Sequence, residues 1–94
     1  MRFMLKFTIP VERGNAAAKD GTIEKAIDAL IKNTGAEAAY FTVLDGKRAG
    51  FLFFEETDAS RFATFNEPFF AAVDASIDIV PVLSHAELNR GLPQ

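Results

Sequence analysis

Two apolar, aromatic-rich runs, Ala36 to Leu44 and Lys47 to Phe54, flank the dipeptide Asp45-Gly46, and no other feature restricts the chain as much. Asp and Gly tolerate the positive φ angles of a type I′ turn, whose twist matches that of two paired strands. A two-residue loop also sets the register, with Tyr40 opposite Phe51, Ala38 opposite Phe53 and Phe41 opposite Gly50. The pattern predicts an antiparallel hairpin in the middle of the chain.

Around it the other elements are read from periodicity. From Arg2 to Ile9, Phe3, Leu5, Phe7 and Ile9 alternate with Arg2, Met4, Lys6 and Thr8 until Pro10 ends the run, which is the pattern of a strand. Ile23, Ala26, Ile27, Leu30 and Ile31 recur at helical spacing, and Gly35 follows where a left-handed cap belongs. Two starts are open for this helix. Capping by Asn15 would place Gly21 inside it, at a cost of about 1 kcal/mol relative to Ala. Thr57 or Asp58 is expected to cap a second helix carrying Phe62, Phe65, Phe69 and Val73, with a kink or restart near Asn66 to Pro68 because Pro68 removes a backbone donor. Ser76 to Leu83 reads as the fourth strand. Ser84-His85-Ala86-Glu87 then forms a capping box, Leu83 and Leu88 are placed for a hydrophobic staple, and Gly91 with Pro93 closes a short C-terminal helix.

The order β-α-β-β-α-β predicts an α+β fold, the ferredoxin-like sandwich: a four-stranded antiparallel sheet, order 4-1-3-2, with two helices on one face. Phe3, Leu5, Phe7, Ile9, Phe41, Val43, Leu52, Phe54, Ile77 and Ile79 make the helix side. The opposite face is also apolar, with Met4, Tyr40, Leu44, Phe51, Phe53, Val80 and Val82. An antiparallel sheet with one wet face alternates apolar with polar, and here only the first strand does so. A bare face of this kind amounts to several hundred Å² of apolar surface, more than soluble monomers usually leave open. A cover is expected, and a homodimer joined through its sheets supplies one.

Ninety-four residues, 49% hydrophobic and 24% charged, suffice for one globular domain, 1–94. A net charge of −3 is the wrong sign for a protein that neutralises phosphates, so nucleic acid is not expected as a partner. No Cys and a single His exclude a disulfide framework, thiol catalysis and a Cys/His zinc site; neither metal nor cofactor is expected. Lys6 interrupts the apolar N-terminal stretch and no cleavage site follows it, and no apolar run approaches the roughly 20 residues of a membrane span. The expectation is a cytoplasmic protein that neither spans nor binds a membrane.

Lys6 and Asp78 are polar exceptions on the second face, and they lie on strands expected to be neighbours. One reading makes them a charged anchor for a polar ligand group in an apolar pocket, with Tyr40 and Thr42 as further hydrogen-bonding groups. The other makes them an ion pair at the rim of a dimer interface. His85, in the first turn of the last helix, has the setting of a neutral base or of a solvent-exposed side chain. Asn66 is placed to cap a restarted helix. Phe62, Phe65 and Phe69 are core by spacing, while Glu24, Asp28 and Lys32 form a solvated helix face with a weak i,i+4 pair.

Two resemblances bear on function. Lys47-Arg48-Ala49-Gly50-Phe51-Leu52-Phe53-Phe54 resembles the octamer of RNA-recognition domains in its basic start and last five positions. Arg48 stands where that motif has Gly, and Ala49 where it has a stacking aromatic, so half of the stacking platform is missing on this strand. The doubly apolar sheet resembles the dimeric α+β-barrel superfamily, in which two four-stranded sheets face each other. More closely, Val11-Glu12-x-Gly14-Asn15, Lys19-Asp20-Gly21, Glu37-Ala38-Ala39-Tyr40-Phe41, Glu67-Pro68-Phe69-Phe70 and Pro81-Val82 are similar to a set of short bacterial proteins of uncharacterised function. The superfamily includes cofactor-independent monooxygenases, muconolactone-type isomerases, haem-degrading enzymes and ligand sensors. The resemblance thus implies the fold and the dimer and assigns no catalytic residue. Three functions follow as expectations: a homodimer binding a small apolar or amphipathic molecule in a cavity at the sheet face, a cofactor-independent isomerase or monooxygenase, or a structural protein without a ligand.

Overall fold

The computed structural model describes residues 1–93. Its elements are β1 (Arg2–Ile9), α1 (Val11–Asp20), α2 (Thr22–Thr34), β2 (Ala38–Leu44), β3 (Lys47–Glu55), α3 (Arg61–Val73), β4 (Ser76–Pro81) and α4 (His85–Gly91). The four strands form one antiparallel sheet in the order β2-β3-β1-β4, with the hairpin register expected from the turn: Tyr40 against Phe51, Ala38 against Phe53, Phe41 against Gly50. Asp45 and Gly46 take positive φ, 51° and 73°, as the turn requires.

The first helical segment is two helices. Pro10 leads directly into α1 with no capping side chain, so Asn15 lies inside a helix and caps nothing; its Oδ1 instead accepts from Arg48 Nη1 at 3.1 Å. Gly21, at φ 83°, closes α1 in the left-handed region and opens α2, a conformation that side chains rarely adopt. Asp20 Oδ1 accepts from the Thr22 N–H at 2.9 Å and so satisfies one of the free donors of α2. Gly35 ends α2, its N–H donating to Ile31 O at 3.1 Å. The buried Thr34 hydroxyl donates to Leu30 O at 2.8 Å.

Neither Thr57 nor Asp58 caps α3. Asp58 Oδ1 accepts from the Ser60 N–H and hydroxyl at 3.0 and 2.7 Å, and i→i+3 bonds from Arg61 to Asp58 and from Phe62 to Ala59 wind a tight turn that delays the helix to Arg61. The expected restart at Pro68 is absent, since α3 is one helix from Arg61 to Val73. Pro68 and Thr64 are both exposed, so water can serve the Thr64 carbonyl that Pro68 leaves without a donor. With no second segment to cap, Asn66 keeps a buried Oδ1 without a hydrogen-bond partner. Strand β4 stops at Pro81 rather than Leu83, although the Val82 N–H still donates to Arg2 O at 3.1 Å.

The core lies between helices and sheet: Leu5, Phe7, Ile9, Leu52, Phe54, Ala17, Leu30, Phe65, Phe69 and Val73. Phe54 meets Phe65 edge to face at 5.4 Å between centroids, and Phe7 meets Phe69 at 4.9 Å, the geometry aromatic quadrupoles favour. The stripe Phe62, Phe65 and Phe69 is packed against this core or is part of it, as its spacing implies. Two helix-side residues escape cover, because Phe41 and Val43 on the outer strand β2 are exposed.

Candidate functional site

The site is built by strand register. β1 pairs with β3 so that Met4 faces Phe53, Lys6 faces Phe51 and Thr8 faces Ala49. The pairing of β1 with β4 sets Val80, Asp78 and Ser76 against the same three residues. Adding β2 gives three rows across the face opposite the core: Ala38-Phe53-Met4-Val80, Tyr40-Phe51-Lys6-Asp78 and Thr42-Ala49-Thr8-Ser76. Side chains two residues apart share a face, so the alternation alone places Lys6, Tyr40, Thr42 and Asp78 together on it.

The middle row spans the sheet with a phenol, a phenyl ring, an ammonium and a carboxylate. Lys6 and Asp78 are cross-strand neighbours, yet no ion pair or hydrogen bond joins them, and neither has another polar partner among the described residues. The ion pair expected for them is therefore not closed within one chain. Lys6 is half-buried and Asp78 exposed; both charges are directed to a surface otherwise made by Met4, Phe51, Phe53 and Val80. Such a face can hold an amphipathic molecule or a complementary protein surface. Among the described residues no cluster of three or more His, Asp or Glu is placed to hold a metal.

His85 lies off the sheet as the exposed first residue of α4, with Nε2 3.3 Å from Asn89 Nδ2. The capping box is complete: Ser84 Oγ accepts from the Glu87 N–H at 3.1 Å, and Glu87 Oε1 accepts from the Ser84 N–H at 2.8 Å. Leu83 and Leu88, placed for the staple, both remain exposed. Sequence reading missed how α4 is held. Arg2 donates to Glu87 and also to Glu37, at 3.3 Å, and lies 3.7 Å from Glu55, so one guanidinium joins α4 to the end of the sheet. The alternation that makes Arg2 polar was visible; its partners are 35 to 85 residues away and leave no local signal.

The Ser84 N–H, and next the Arg2 guanidinium, hold the Glu87 carboxyl down at about 2 against an ordinary value of 4.5. A carboxylate whose pKa is depressed by folding contributes stability above its unfolded pKa and loses it as pH falls toward its folded one. The cap of α4 is expected to hold above pH 4.5 and open between 4.5 and about 2. Following the Ser84 and Glu87 amide resonances through that window checks this. They should move together in the native chain and stay flat in Glu87→Gln; a native titration that is flat there contradicts it.

A shallow groove of about 290 Å³ between α2 and α3, lined by Ala26, Ala29, Leu30, Phe65 and Pro68 among others, lies on the helical layer, away from Lys6 and Asp78. No helix among the described residues is long and apolar enough to cross a membrane.

Fold and topology together define a ferredoxin-like α+β domain. The structure of the periplasmic divalent cation tolerance protein CutA from Archaeoglobus fulgidus is similar in fold, with TM-score 0.52 and 16% identity over 89% of this chain and 86% of that one. The de novo designed protein Ferredog-Diesel aligns over 86% of this chain and 85% of its own, with TM-score 0.49 and 10% identity. No curated protein matches the sequence. The chain belongs to the family described as "Domain of unknown function (DUF3303)", whose model matches residues 1–94.

Proposed function

We propose that two copies of this chain pair through their open sheet faces and hold a small apolar or amphipathic molecule between them. The observation that carries this reading is the row Tyr40-Phe51-Lys6-Asp78: one positive and one negative group, both unpaired, on an apolar face with no cover. A two-fold contact is self-complementary, so if Lys6 meets the partner's Asp78, Asp78 meets the partner's Lys6. Charges entering an interface need such pairing because desolvation alone costs several kcal/mol per ion. Any space left between two such faces is walled by Met4, Phe51, Phe53 and Val80, with Tyr40 and Thr42 as hydrogen-bonding groups. A cofactor-independent isomerase or monooxygenase would use the same groups, but no two of them stand in hydrogen-bond contact in one chain to pass a proton.

Light scattering tests the pairing: Phe51→Lys, which puts a second ammonium beside Lys6, should reduce the assembly, and an unchanged mass would refute face-to-face contact. Binding is tested with 8-anilinonaphthalene-1-sulfonate, an apolar anion. Lys6→Met should weaken it about tenfold, roughly 1.4 kcal/mol; where the Lys6–Asp78 contact lies at the wet rim of the interface, the substitution should leave the assembly in place and shift stability toward urea by less than about 1 kcal/mol, because an exposed pair costs far less to break than a desolvated one. Unchanged binding would remove Lys6 as the anchor.

A further inference from the structure

The sheet has two edges, and only one is guarded. β4 carries Asp78 and Pro81, a charge and a missing donor of the kind that discourages strand addition. β2 reads Ala-Ala-Tyr-Phe-Thr-Val-Leu, with no charge and no proline, and it pairs residue for residue with β3 without a bulge. It is open on both sides: Tyr40 is 64% exposed on the uncovered face, and Phe41 and Val43 are 52% and 67% exposed on the helix side. Sheets meeting face to face would cover Tyr40 and leave Phe41 and Val43 bare.

The backbone of β2 is open as well. Leu44 and Lys47 flank a two-residue turn and form a hydrogen-bonded pair. By alternation, Thr42, Tyr40 and Ala38 also direct their N–H and C=O toward β3, whereas Val43, Phe41 and Ala39 direct theirs outward. None of these three has a backbone partner in a loop or on another element.

We propose that this edge pairs antiparallel with the β2 edge of a second copy, about a two-fold axis beside Phe41, joining two four-stranded sheets into one of eight. The strand is complementary to its own reverse. Phe41 meets the partner's Phe41, Ala39 meets the partner's Val43, and Tyr40 meets the partner's Thr42, so small residues oppose larger ones and aromatic rings pair across the axis. The like-charged pairs, Asp45 against the partner's Glu37 at each end, are eased by Arg2, which already binds Glu37. With no charge along the strand to select a different protein, the second copy is the occupant that the pattern favours. The contact is independent of the sheet-face pairing, and both together close into a tetramer where the two two-fold axes intersect at right angles.

Two measurements test it. In the native protein, hydrogen exchange at the Ala39, Phe41 and Val43 amides should be slowed at least about tenfold on assembly; exchange at unprotected rates would overturn the proposal. Sedimentation of Phe41→Lys, Phe51→Lys and the double variant separates the two interfaces. Phe51→Lys should leave an edge-paired dimer that adding Phe41→Lys converts to the 10.3 kDa monomer. If Phe41→Lys alone dissociates the assembly and Phe51→Lys has no effect, the edge contact stands and the face contact falls. If Phe41→Lys leaves the native mass unchanged, the edge contact is wrong.

Discussion

Phe54→Ala is expected to cost about 3–5 kcal/mol, enough to bring a domain of this size close to unfolding. Phe54 is fully buried on the helix side of β3, in the middle of an aromatic cluster: Phe65 at 5.4 Å, Phe3 at 5.8 Å and Phe62 at 6.3 Å between ring centroids. Removing the ring withdraws its apolar area and leaves a cavity that strands on one side and α3 on the other cannot collapse. It also removes edge-to-face contacts worth about 0.5–1.5 kcal/mol each beyond area burial. Urea denaturation monitored by circular dichroism measures the effect. A loss below about 1 kcal/mol would mean that the site relaxes far more than its close packing implies.

Gly50→Ala should also destabilise the fold, although it adds only a methyl group. A Cβ at Gly50 would lie 2.6 Å from Phe7 Cζ and 2.9 Å from Phe41 Cδ1, inside van der Waals contact. Phe41 is half exposed and can swing away. Phe7 is buried, with its ring on Phe69 at 4.9 Å, and it sits directly opposite Gly50 in the β1–β3 ladder. Relief therefore requires β3 to shift or Phe7 to leave its rotamer, at about 1–3 kcal/mol or more. The mechanism predicts a compensation. Phe7→Leu is destabilising alone, but combined with Gly50→Ala it should cost less than the sum of the two single changes. Additive costs in denaturant titrations would locate the strain elsewhere.

How much of the molecule was legible in the sequence depends on the range of the forces involved. The Asp45-Gly46 turn, the hairpin register, the alternation of β1 and the Ser84 to Glu87 capping box follow from φ preferences and hydrogen bonds a few residues apart, and each is found where its pattern placed it. Because a strand's side chains alternate, the same patterns also determined that Lys6, Tyr40, Thr42 and Asp78 share the face opposite the core. Helix boundaries were harder. At Gly21, and between Asp58 and Arg61, competing local hydrogen bonds from Asp20 and Asp58 settle where each helix begins, and several starts satisfy the propensities equally well. Pro68 looked like a break, yet α3 runs through it, and it stands on the exposed side of the helix, where the carbonyl it leaves without a donor is open to water.

Which surfaces are left without cover depends on how the elements pack. Helix-side alternation assigns Phe41 and Val43 to the core as firmly as it assigns Phe7, but burial depends on where the helices cross the sheet, and they do not screen the outer strand. The same holds for charge. Register brings Lys6 and Asp78 side by side, but an ion pair needs both side chains directed at each other against their hydration and rotamer entropy, and in this chain they are not joined. Arg2, by contrast, gathers Glu37, Glu55 and Glu87 because the strand ends and α4 meet in space. Local pattern thus fixes the turn, the hairpin register and the two apolar faces, which are properties of near neighbours along and across strands. What covers each face, and which charges find partners, was settled by the placing of whole elements, which no short-range pattern encodes.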